Sequence, residues 1–270
     1  MSDFSGKNVL ITGAASGIGR LLAQQIARME GRLVLWDVNK EGLDALEEEL
    51  RQHSAKVSTY FCDLSDRNSI NSAAESVRDD HGHIDILINN AGIVSGSPLL
   101  EISDEDILRT FDVNTLALFW TTRAFLPGMI DLGSGHIVTI ASAAGVVGTS
   151  RLTDYSASKF AAVGFDESLR LELKRLNLPI QTTVVCPFYI DTGMFAGVRT
   201  RFSWILPILK PDYVANRIVK AIQRNRRRLI MPRAVAVVFP ARLLPVRVFD
   251  ALLGFLGVSK TMDEFTGRSG

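Results

Sequence analysis

Short apolar runs alternate with longer amphipathic stretches along this chain. Val9-Leu10-Ile11 is continuous and rich in β-branched residues, as a strand buried on both faces should be. Similar runs predict strands near 7–12, 32–36, 56–61, 84–89, 135–141, 180–186 and 228–231. The intervals carry helical spacing, as from Leu21 to Met29, with long helices expected near 103–131 and 153–176. This alternation predicts an α/β fold, a single-domain doubly wound parallel sheet of Rossmann type with helices on both faces. Ligands of such a sheet bind beyond the carboxyl ends of the strands. Gly13, Asp37, Asp63, Asn90, Ser142 and Pro187 all fall there.

The first strand–helix junction reads Thr12-Gly13-Ala14-Ala15-Ser16-Gly17-Ile18-Gly19. Glycines permit a tight turn and close approach of backbone to pyrophosphate, and the helix N-terminus supplies free N–H groups. A glycine-rich β–α turn without a ligand is the plainer alternative. Three glycines, with a strand before and a helix after, favour the phosphate site. Asp37 ends the second strand, about 20 residues past the loop, where a carboxylate accepts from ribose hydroxyls. It would repel a 2′-phosphate, no arginine follows at Val38 or Asn39, and Ser16 is not basic. NAD is therefore expected over NADP. Asp37 could instead cap the helix starting near Lys40, a task Asn39 can also take.

Tyr155 and Lys159 stand four residues apart, on one helix face. The lysine charge should favour the phenolate and lower a phenol pKa that is otherwise about 10. Such a phenol exchanges protons with an alcohol or carbonyl. Ser142 lies thirteen residues before Tyr155, after an apolar strand, where it can fix the reacting oxygen.

With these motifs in family order, the chain resembles the short-chain dehydrogenase/reductases over nearly its full length. The resemblance rests on Thr12 to Gly19, Asp63, Asn89-Asn90-Ala91-Gly92, Asn114, Ser142, and Tyr155 with Lys159. It implies a catalytic tetrad of Asn114, Ser142, Tyr155 and Lys159, with Asn114 placing a water that relays protons to Lys159. It implies a cofactor cleft lined by Gly13, Ser16, Gly17, Ile18, Gly19 and Asp37. Asp63 and Leu64 would lie by the adenine, and Asn90, Ala91 and Gly92 along the centre. Pro187, Ile190 and Thr192 would sit by the nicotinamide, with Tyr155 and Lys159. Many family members carry glycine after this proline; here Phe188 should narrow the mouth or add an apolar wall.

A finer resemblance is to the branch of epidermal-type retinol dehydrogenases and lipid-droplet hydroxysteroid dehydrogenases. It is carried by Leu33 to Asp37, Phe119 to Thr122, Ser158 to Phe165, Cys186-Pro187-Phe188 and Asp191 to Phe195. It implies a lipophilic alcohol or carbonyl as substrate: retinoid, steroid or fatty alcohol. A ketoreductase of a small polar or acyl-carrier ketone, or a silent NAD-binding scaffold, remain the alternatives. The intact Ser142–Tyr155–Lys159 set favours the enzyme. Wall candidates by loop position are Val94, Ser95, Val146, Val147, Phe188, Met194, Phe195 and Trp204. A homodimer or homotetramer through the two long helices is also implied.

Composition narrows the picture further. The 270 residues are 47% hydrophobic with net charge +1, as expected of one globular enzyme. Two cysteines, Cys62 and Cys186, read as buried free thiols of a reducing compartment. His53, His81, His83 and His136 are scattered, with no metal-ligand pattern. No apolar run of about 20 residues marks a span or leader, so a cytoplasmic protein is expected. Met1-Ser2 leads almost directly into the first strand, without the N-terminal anchor of many animal members of the branch.

From Arg199 to Arg247 twelve Arg/Lys face one acid, Asp212. Phe249, Leu252, Leu253 and Leu256 form an apolar stripe beyond it, interrupted by Asp250 and preceded by Arg242 and Arg247. The chain is thus read as a Rossmann domain over 1–232 and an amphipathic C-terminal extension over 233–270. That extension could lie on an anionic membrane surface or simply pack. No nucleic-acid motif or stacking array accompanies the charge.

Overall fold

Seven strands form one parallel sheet in a computed structural model that describes residues 3–53 and 55–267. Met1, Ser2 and the last three residues of the expected C-terminal extension lie outside these. The order is β3-β2-β1-β4-β5-β6-β7, the doubly wound arrangement. The strands are β1 (Asn8–Thr12), β2 (Arg32–Asp37), β3 (Val57–Phe61), β4 (Ile86–Asn89), β5 (Gly135–Ile140), β6 (Ile180–Pro187) and β7 (Arg228–Met231). Every pairing is parallel, with Val9 opposite Leu33 on one side and Ile86 on the other. β1 is buried along its whole length, so its continuous apolar run follows from helices covering both faces.

The helices begin where the sequence offers caps. Asn39 opens α2 (Lys40–Gln52) by accepting the Gly42 N–H at 2.9 Å, and Leu43, Leu46 and Leu50 form its buried stripe. Asp66 likewise accepts from Asn68 N–H at 2.8 Å at the start of α3 (Arg67–His81). α1 (Gly17–Ala27) has neither an acidic residue in its first turn nor a side-chain cap from Ser16. Full burial of each such Leu or Ile contributes about 1.5–3 kcal/mol.

The expected single helix over 103–131 is broken. α4 (Asp104–Phe111) passes through a π turn, Asp112–Leu116, into α5 (Ala117–Asp131). Asn114 causes the widening to persist: its Oδ1 accepts from Ile93 N–H at 2.9 Å, while Nδ2 donates to Ile93 O at 2.9 Å and to Ser158 Oγ at 3.0 Å. α6 (Thr153–Arg175) then runs unbroken, as expected.

Between β6 and β7 lies α7 (Pro211–Gln223). Beyond β7 lie a 3-10 turn (Arg233–Val237), α8 (Val238–Ala241) and α9 (Val246–Phe255). Leu253, Leu256 and Val258 pack with Val184, Cys186 and Leu206 of the Rossmann core, so this extension shares the core of the sheet it follows.

Candidate active site

Two loops meet over the carboxyl end of β1. Asn90 Nδ2 donates to Thr12 O at 2.9 Å and Gly13 O at 3.1 Å, and the N–H groups of Asn90 and Ala91 both donate to Thr12 Oγ1. Gly13 and Gly17 have φ of +65° and +55°. A Cβ on Gly19 would sit 2.0 Å from Gly13 O, so the helix packs onto the turn only with glycine there. Gly19 therefore works behind the cleft, whereas Gly13, Ser16, Gly17 and Ile18 line it.

Asp37 stands at the far lip. Its Oδ2 accepts from Ala15 N–H and its Oδ1 from Asn39 N–H, each at 2.9 Å. The carboxylate thus ties the glycine loop to β2, and Asn39, not Asp37, caps α2. Each oxygen keeps a lone pair for a hydroxyl donor. Asp63 accepts from the N–H and hydroxyl of Ser65 at 2.9 and 2.7 Å. That hydroxyl bond first, and Arg109 also, hold its carboxyl below the usual range. The same cleft is lined by Leu64, Asn90, Ala91, Gly92, Pro187, Ile190 and Thr192. A Cβ on Gly92 would meet Lys159 Nζ at 3.1 Å, so glycine here lets the lysine reach the cleft.

At the inner end of the cleft, Ser142 leaves β5 and accepts the Ala144 N–H at 3.1 Å. Tyr155 is nearly fully buried on the first turn of α6, with Phe195 edge-on at 5.7 Å between centroids. One turn on, Lys159 Nζ donates to Ile140 O at 3.1 Å and lies 5.7 Å from the Tyr155 ring centroid. The lysine was expected to lower the phenol pKa. In the chain alone burial dominates instead, pushing Tyr155 up to about 12 against a lowering hydrogen bond from Ser142. Burial also takes Lys159 down to about 8.

Asn114 does not line the cleft, and its amide is committed to Ile93 and Ser158. Its side chain pins the π turn between Ile93 and Ser158.

Behind Tyr155 lies a second cavity, apolar throughout most of its wall. Val147, Leu206, Val235, Phe249, Leu252 and Leu253 are among its lining residues. Ser142, Tyr155, Phe188 and Phe195 line both this chamber and the nucleotide cleft. Of the expected wall residues, Val147, Phe188 and Phe195 are in place. Met194 lines the nucleotide cleft instead. Val146 is core, Val94 packs beside the Tyr155 cluster, and Trp204 is 81% exposed. Ser95 donates to Asp154 Oδ1 at 2.9 Å, tying its loop to α6.

Sequence reasoning missed Arg109 and Val113 in the cleft, and Tyr189, Leu206 and Val235 in the chamber. Tyr189 was within reach as the second residue after Pro187. It stacks edge-on between Phe188 and Phe195, at 4.6 and 5.1 Å. Its hydroxyl meets Thr261 Oγ1 at 2.8 Å.

Residues 7–202 match the short chain dehydrogenase family. The chain belongs to the short-chain dehydrogenase/reductase family. It is 45% identical over 269 residues to epidermal retinol dehydrogenase 2 of Mus musculus, covering 98% of this chain and 87% of that protein. To retinol dehydrogenase 10 of Homo sapiens it is 43% identical over 293 aligned positions, covering 98% and 86%. A short-chain dehydrogenase/reductase from Burkholderia phymatum solved with NAD superposes with TM-score 0.81 at 28% identity, over 90% of this chain and 95% of that one. A metagenomic short-chain oxidoreductase solved with NADP gives TM-score 0.73 at 29% identity, over 85% and 98%. This family member is an oxidoreductase that uses a nicotinamide dinucleotide. Among the described residues no cluster of three metal-ligating side chains occurs, and no helix is long and apolar enough to cross a membrane.

The short-chain dehydrogenase/reductase cleft fits that cofactor on its own geometry. The glycine turn brings uncapped helix N–H groups to one point, where a pyrophosphate would be held. The Asp37 carboxylate, with acceptor capacity to spare, lines one part of the cleft, and the buried Lys159 lines another.

Proposed function

We propose that this chain transfers hydride between NAD(H) and a lipophilic alcohol–carbonyl pair, with Tyr155 as acid and base. One observation carries the reading: Tyr155 and Ser142 are shared by the nucleotide cleft and by a chamber walled almost wholly by aliphatic and aromatic side chains. A hydroxyl or carbonyl at the junction meets the Ser142 and Tyr155 hydroxyls, and most of the rest of the molecule meets hydrocarbon. The relatives named retinol dehydrogenases support the retinoid, steroid or fatty-alcohol class.

The chemistry a nicotinamide would supply in this cleft is hydride transfer. Ser142 Oγ fixes the substrate oxygen beside the phenol. At neutral pH the Tyr155 phenol is protonated in the free chain, the form that donates to a carbonyl oxygen. Oxidation of an alcohol needs the phenolate, which the Ser142 hydrogen bond favours and a cationic Lys159 would favour from 5.7 Å. Lys159 would also hold a ribose hydroxyl, and Asn114 would position the relay water. NAD is favoured over NADP because a 2′-phosphate would face the Asp37 carboxylate, and the lining residues there include no cation. Arg109 sits instead by Asp63. The Phe119–Phe165 pair at 4.8 Å, with exposed Leu108 and Leu171 nearby in sequence on α4 and α6, supports a homo-oligomer through these helices.

The test is NADH formation with retinoid, steroid and long-chain alcohols beside short polar ones, repeated with NADP. Turnover of the apolar alcohols with NAD supports the reading. Turnover confined to short polar alcohols, or equal efficiency with NADP, contradicts it.

A further inference from the structure

The apolar stripe of the C-terminal extension is turned inward. Phe249, Leu252, Leu253 and Leu256 line the chamber, so they are not the surface the sequence suggested. The opposite side of the same segment is bare. Leu243 is 88% exposed, Val246 73%, Val248 51% and Phe255 60%. None of α9 is fully buried, so this helix is a roof one helix thick between chamber and exterior.

The bare side is continuous with a basic aromatic ridge. Arg201 lies over Phe202 at 5.2 Å and over Phe255 at 5.3 Å, and donates to Phe255 O at 3.0 Å. Phe202 in turn meets Trp204, which is 81% exposed. Arg201, Arg233 and Arg247 make no salt bridge among the described residues, while Arg199 is paired with Glu264, Arg228 with Glu167, and Arg242 is tied to Val146 O and the Phe160 ring. Asp250 is the acid of α9.

We infer that this outer face docks on an anionic lipid surface. An exposed tryptophan, aliphatic side chains and unpaired arginines together are the composition of an interfacial segment. The surplus of arginine decides between occupants. A second copy would bring the same positive face against itself, whereas an anionic leaflet neutralises it. Docking there would place acyl chains about 10 Å, one helix diameter, from the chamber. A lipophilic substrate could then pass between bilayer and Tyr155 with little exposure to water. This consequence rests on the proposed function; the docking itself does not.

The test is co-sedimentation of the full chain with phosphatidylcholine vesicles, and with vesicles containing about one third phosphatidylserine. The comparison is the double variant Leu243→Glu/Val246→Glu, whose positions are exposed and leave the core intact. Binding to the anionic vesicles at least tenfold stronger than to the neutral ones, and lost by tenfold or more in the variant, is expected. NAD-induced thermal shift should be equal in both proteins, which separates a failure of docking from a failure of the enzyme reading. Equal sedimentation of variant and parent, or no binding to either vesicle, overturns the inference. So does a variant that changes oligomeric state while still binding lipid.

Discussion

Lys159 Nζ lies 5.7 Å from the centre of the Tyr155 ring and donates to the Ile140 carbonyl at 3.1 Å. The two groups are buried together, and burial moves their pKa values apart, Tyr155 up to about 12 and Lys159 down to about 8. Burial thus disfavours the charged form of each.

Tyr155→Phe should lower turnover by about 10²–10⁴, the range for loss of a general acid or base, while NAD affinity changes by no more than a few-fold. Steady-state rates and a cofactor titration check this. A large loss of NAD binding would mean that the residue supports the fold of the cleft.

With the phenol pKa raised in the free chain, the phenolate is the scarce form at neutral pH. Alcohol oxidation should therefore rise with pH across the alkaline range, and carbonyl reduction should not. Lys159→Met should move the rising limb of kcat/KM to higher pH, because the cation that favours the phenolate is gone. An unmoved limb would detach Lys159 from the ionisation.

Asp37→Ala should cut the NAD over NADP ratio of kcat/KM at least tenfold. It should also destabilise the chain by about 1–3 kcal/mol, because the part-buried N–H of Ala15 loses its acceptor. Kinetics with both cofactors and a denaturant curve separate the two effects.

Asp166 is 1% exposed, and both its oxygens lack a hydrogen-bond partner of normal geometry. Burial raises its pKa from 3.8 to about 7. The native state then holds a proton that the unfolded chain releases between these values. Stability should fall as pH rises through that window, by at most about 4 kcal/mol, and level off above it. Asp166→Asn should remove this slope and raise the midpoint of unfolding above pH 7, as read by urea titration at several pH values.

The strands, the glycine loop and Tyr155 with Lys159 were legible because each is written in consecutive residues. The chamber was not. Its wall joins Val147 after β5, Leu206 before α7, Val235 after β7 and Leu253 on α9, and no local period connects them. The break at Asn114 was hidden because apolar spacing continues across Asp112–Leu116. The direction of the Tyr155 shift was missed because sequence shows the neighbouring charge and not the depth of burial. Trp204 looked like a wall residue by position, yet its side chain points to the exterior.

The central claim is that substrate lies in the chamber behind Tyr155. The most direct measurement is kcat/KM with NAD along a series of primary alcohols of increasing chain length, for the parent and for Leu253→Trp, which fills the chamber. The account predicts that efficiency climbs with chain length in the parent. In the variant the climb disappears, while short alcohols and NAD binding are unaffected. A flat series in the parent, or a climb that survives Leu253→Trp, would contradict it.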